Sequence, residues 1–135
     1  MIECDDTNWP LAIVLAEEAM TLADHRQFLS SWSAWLDRAS PFVLLRIFAT
    51  SQAVTEPEGA PTETWAWLKA NAERVRAHVL AISTSVPRDQ LDRAPEAHIG
   101  RLFGVPTRVF TDGPSAVSWL RAEILAPAGL SLDSL

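Results

Sequence analysis

Pro41-Phe42-Val43-Leu44-Leu45-Arg46-Ile47-Phe48-Ala49 is the stretch on which the fold turns. From Phe42 to Ala49 only Arg46 is not apolar, so the run is continuous rather than alternating. A run of this kind reads as a strand covered on both faces, which is the situation in a parallel sheet. Pro41 closes whatever precedes it, because the residue before a proline avoids helical dihedrals. Working outward, Trp9-Pro10-Leu11-Ala12-Ile13-Val14-Leu15-Ala16 is a second continuous run and Val79-Leu80-Ala81-Ile82-Ser83 a third. A fourth, Val105 to Phe110, begins beside Pro106 and suits an edge.

Helical spacing fills the intervals. Phe28, Trp32, Trp35, Leu36 and Ala39 form one apolar stripe, opened by Thr21 and Asp24 at capping-box spacing. Thr50 to Thr62, with Pro57, Gly59 and Pro61, reads as a loop. After it Thr62 caps a helix whose inner face is Trp65, Leu68, Ala72, Val75 and Val79. Pro95 is placed to start a short helix before Ile99, Leu102 and Phe103. Thr111-Asp112-Gly113-Pro114 opens a last helix carrying Val117, Leu120 and Ile124, ended by Pro127 and Gly129. Strand and helix thus alternate, which predicts one α/β domain with a mainly parallel sheet flanked by helices. The expected boundaries are a flexible N-terminus at 1–8, the domain at 9–126 and a frayed C-terminal tail at 127–135.

The chain has 135 residues, enough for one core, and its 17 acidic against 11 basic residues give a net charge of −6. That balance argues against nucleic acid as a partner, which needs a basic patch. No apolar run approaches the ~20 residues of a membrane helix. The opening Met1-Ile2-Glu3-Cys4-Asp5-Asp6 is acidic where a secretory signal is basic, so a cytoplasmic location is expected. Cys4 stands alone and His25, His78 and His98 are scattered, so no metal site and no cofactor are expected. There is no glycine-rich phosphate loop and no Gly-x-Ser-x-Gly elbow.

The order of Trp9-Pro10-Leu11, Pro41-Phe42-Val43-Leu44, Trp67-Leu68 within a helix, Arg108-Val109-Phe110-Thr111 and Ala116-Val117-Ser118-Trp119-Leu120 resembles the small SpoIIAA-like, or STAS/SEC14-like, bacterial domains. The resemblance runs from Trp9 to Leu125 and closes on an Ala-x-x-Trp-Leu pattern. It implies a four- or five-stranded sheet and a non-catalytic role, either as a regulatory partner-switching module or as a binder of small or lipid-like ligands. The partner-switching relatives carry an Asp-Ser-Ser-Gly turn that serine phosphorylation controls. This chain has Ala49-Thr50-Ser51-Gln52 at the nearest place, which lacks the glycine.

Several residues are candidates for binding. Arg46 interrupts a buried strand and must be paired, solvated or used, since its planar fork suits carboxylate and phosphate. Thr50, Ser51, Ser83, Thr84 and Ser85 fall at strand exits, where open parallel sheets place their ligands. Their simpler role is to bond turn backbone. Trp67, Arg74 and His78 share one helical stripe and are a candidate partner surface, alongside the plainer role of solvated packing. Trp32, Trp35 and Trp65 fit core stripes, whereas His25 reads as a rim residue. The expectation is therefore a non-catalytic regulatory or small-ligand-binding module with a protein or small-molecule partner. Two alternatives stand beside it. One is a small accessory isomerase, lyase or hydrolase acting on an acidic substrate. The other is a structural homodimer mated through exposed tryptophan.

Overall fold

The apolar runs become adjacent strands of a single sheet in the computed structural model, which describes residues 2–93 and 96–132. In chain order the elements are β1 (Ile2–Asn8), β2 (Leu11–Ala16), α1 (Leu22–Leu36), β3 (Phe42–Phe48), α2 (Ser51–Val54), α3 (Ala60–His78) and β4 (Val79–Ser85). A 3-10 segment (Arg88–Arg93), α4 (Glu96–Phe103), β5 (Thr107–Phe110) and α5 (Gly113–Trp119) follow, and α5 continues as π-type turns over Leu120–Leu125. Pro95, the expected first residue of the short helix, lies outside the described residues.

The sheet order is β1-β2-β3-β4-β5, with β1 antiparallel to β2 and every other neighbour pair parallel. Strands are added in one direction only, so right-handed crossovers must all lie on the same face. They do: α1, α3 and α4 pack with Val14, Leu44 and Ile82 in one core, around the fully buried Trp32. The opposite face, bearing Leu11, Val43, Leu45 and Ala81, is left for the chain end to cover. Ala116, Leu120, Leu125 and Leu132 do so.

Residues 2–8 and 127–132 are thus part of the fold. Residues 2–8, expected as a flexible extension, form β1, because Ile2 is buried in the first core and Asp6 accepts hydrogen bonds from Trp35 and Arg38 of the α1 end. The strand's burial alternates, but its inward positions after Cys4 are polar, so it carries little apolar signal to read. The segment after Ala126, expected as frayed, is held as far as Leu132 by the apolar face that the crossovers leave open.

Local chemistry sets the helix ends. Thr21 Oγ1 accepts from the Asp24 amide at 3.1 Å while the Asp24 carboxylate accepts from the Thr21 amide at 2.9 Å, a reciprocal capping box. The start of α3 is a correction to the sequence reading. The helix begins at Ala60 rather than Thr62, because Gly59 takes a left-handed φ of 89° as N-cap and Pro61 fits the first turn without an amide to lose. With that start the inward row is Ala60, Thr64, Leu68 and Val75, and Trp65 is turned about 100° away from it. Trp65, expected in the core, is 64 % exposed.

Candidate functional site

The β-register lines up the floor of the site. Val14 of β2 is opposite Arg46 of β3, and Arg46 is opposite Thr84 of β4. Period-2 alternation sends all three to the face covered by helices, close to the carboxyl ends of their strands. There the N-terminal halves of α1 and α3 stand off the sheet and leave a cavity of about 580 Å³, within the range of small-molecule sites. Phe28 and Trp32 come from α1, Phe48 from β3 and Phe103 from α4, and Trp65 and Glu56 stand at the mouth.

Arg46 is the chemical centre of this space. Its Nε and Nη2 groups both donate to the one hydroxyl oxygen of Thr84, at 3.2 and 3.0 Å. Its guanidinium carbon lies 5.7 Å from the centre of the Phe48 ring. Among the described residues no carboxylate forms an ion pair with it. Burial pulls its pKa down to about 10, and the charge of Glu56 acts in the opposite sense. At neutral pH the side chain is still a cation.

His25 and Thr64 form the other polar part of the lining, with His25 Nε2 and Thr64 Oγ1 2.7 Å apart. His25 is 6 % exposed rather than on a rim. Desolvation holds its pKa below the usual value, against the opposing charges of Glu56 and Glu63 and a backbone hydrogen bond at Ala60. The pair ties α1 to α3 across the entrance. The aromatic walls pack on one another as well as on the space. Trp32 stacks with Phe28 at 5.4 Å and meets Phe103 at 5.2 Å, giving a rigid apolar side to the cavity.

The structure brings two of the six ligand-binding candidates together and separates the rest. Arg46 and Thr84 share the cavity floor. Ser83 and Ser85 alternate onto the other face, where Ser83 Oγ donates to the Ala116 carbonyl at 3.5 Å. Thr50 caps α2 through the Ala53 amide, and Ser51 Oγ donates to Asp89 at 3.3 Å. The reason is topological. A sheet wound in one direction has no strand-order reversal, and it is a reversal that opens a crevice beyond the strand ends. The free space lies between the layers instead.

Trp67 packs inward, whereas Arg74 stays partly exposed in a surface pair between the helices. Trp67 Nε1 donates to Ser33 Oγ at 2.8 Å, and its ring lies 4.6 Å from that of Trp32. Arg74 is paired with Asp37 and with Asn71, so the stripe expected as a partner surface joins α3 to α1. His78 ends the same helix, half-buried. Sequence reading missed His25, Thr64, Phe28, Phe48 and Glu56 as neighbours of the site. A usable signal did exist for Phe48, which shares the strand face of Arg46 two residues on.

Among the described residues no cluster of His, Cys, Asp or Glu is arranged to hold a metal ion. No helix formed by them is long and apolar enough to cross a membrane. Comparison with protein-family models, with curated proteins and with solved structures finds no significant match to this chain.

Proposed function

We propose that this protein is a non-catalytic small-ligand-binding module of the SpoIIAA-like type, and that the cavity between the sheet and α1, α3 and α4 is its binding site. The observation that carries the reading is the cavity itself. A space of about 580 Å³ walled by aromatic rings, with one cation at its floor, opens to solvent between the sheet and the helices and has the size of a small-molecule site. The polar groups present are suited to orienting a ligand. Thr64 sits inside α3 and is held by the buried His25, and Thr84 is held by Arg46.

A neutral apolar fluorophore, phenylnaphthylamine, tests the reading without assuming a head group. Titration should give saturable binding at one molecule per chain. Val54→Trp, which places an indole in the cavity from its rim, should weaken that binding while leaving thermal melting unchanged. Non-saturating fluorescence, or a Val54→Trp response equal to the parent's, refutes the site.

A further inference from the structure

We infer that the ligand of this cavity is an organic monoanion, a carboxylate carried on an apolar body, with its head seated on Arg46, which Thr84 holds in position. The inference rests on the cavity being the binding site and adds the class of molecule that fills it.

Three features of the floor select the head group. A guanidinium has five N–H donors in a planar fork, and here only the Nε and Nη2 groups are engaged, both on one oxygen. The rest of the fork lacks a partner of opposite charge. The planar, two-oxygen acceptor that fits such a fork is a carboxylate. Thr84 fixes the fork. Its oxygen accepts from Nε and Nη2 and, being fully buried, it positions the guanidinium behind the ligand rather than touching it. Third, Arg46 is the sole Lys or Arg among the described residues lining the cavity, and Glu56 stands at the mouth. One cation balances one negative charge, and the acidic Glu56 at the mouth disfavours the second charge of a phosphate dianion.

The walls select the rest of the molecule. Phe28, Trp32, Phe48 and Phe103 supply apolar and aromatic surface, and the exposed Trp65 extends it to the entrance. A charged head at the floor with an apolar body pointing outward satisfies both regions. A neutral apolar ligand leaves the guanidinium without its partner, and a small anion leaves the rings facing water. A half-buried cation with no carboxylate partner among the described residues is costly to keep. Its natural complement is therefore the ligand.

Matched probes that differ only in the head separate this inference from the cavity reading. Decanoate, decanol and decyl phosphate are titrated calorimetrically into the whole chain, the Arg46→Met variant and the Arg46→Lys variant. Decanoate should bind wild type one to one and at least about tenfold more tightly than decanol, as expected for a charge-assisted pair. Decyl phosphate should bind no more tightly than decanoate. In Arg46→Met the preference for decanoate should vanish while decanol affinity stays within about twofold. Arg46→Lys, which keeps the charge and loses the fork, should give an intermediate preference and serves if the methionine variant folds poorly. Equal affinity of wild type for decanoate and decanol overturns the carboxylate assignment and leaves the cavity standing. So does a preference that survives in Arg46→Met. Tighter binding of decyl phosphate replaces carboxylate by phosphate. Failure of all three probes removes the cavity reading itself, and the inference falls with it.

Discussion

Replacing Arg46 by methionine should make the empty protein more stable, not less, even though the residue sits at the centre of the sheet. The guanidinium is held at a pKa of about 10 by burial, well below the usual arginine value. At ~1.4 kcal/mol for each power of ten, keeping it charged costs about 3 kcal/mol. Methionine retains most of the stem packing, but it leaves the fully buried Thr84 hydroxyl without its partner, at about 1–3 kcal/mol. The single variant should therefore gain about 1 kcal/mol. Arg46→Met with Thr84→Val, which removes the hydroxyl as well, should recover about 2–3 kcal/mol. Urea unfolding at pH 7, followed by the fluorescence of the buried Trp32 and Trp35, reads this as a higher midpoint at unchanged slope. The sign of the pH dependence is a second check. Below about pH 10 both folded and unfolded parent carry the charge, and the full penalty applies. Above it the folded form sheds the proton first, so the parent gains stability and the gap to the variant narrows. A double variant less stable than the parent by more than about 1 kcal/mol refutes the reasoning. It would mean that the fold already satisfies the guanidinium, and that no anion is needed to do so.

The remaining expectations concern the fold and its pH response. Ile82→Asp and Leu45→Asp each put a carboxylate into one of the two cores, at positions no more than 1 % exposed, and should unfold the domain. Circular dichroism with unchanged melting for either variant contradicts the assignment of its face. Thr21→Ala removes the acceptor of the α1 capping box and should cost about 1 kcal/mol, visible as a fall of a few degrees in Tm. As pH falls below about 6.5, the unfolded chain takes up a proton at His25 before the folded chain does, because burial lowers the folded value. Stability should therefore drop over that range, and His25→Gln should flatten the drop in urea midpoints measured at pH 7.5 and pH 5. A slope equal to the parent's would show that His25 is not buried neutral.

Periodicity alone was enough for the class of fold. Four of the strands and their intervening helices are legible from continuous apolar runs and i, i+4 stripes, since burial on both faces leaves no other pattern to a parallel strand. The Thr21–Asp24 cap was legible for the same reason: it is a contact between residues three apart. Arg46 stood out because a charge in such a run demands a partner. That its hydrogen-bond partner among the described residues is Thr84 depends on the register between β3 and β4, residues 38 apart in sequence.

Long-range placement decided everything else. The acidic segment Ile2–Asn8 is a strand only because the open edge of β2 and the end of α1 receive it. Leu130 and Leu132 pack on the sheet only because crossovers confined to one face leave the other bare. Ser83 and Thr84 are adjacent and chemically alike, yet alternation sends one against α5 and the other to the cavity floor. Which face becomes the ligand face follows from the order of the strands. That order is a property of how the runs pair in space, and no single run contains it.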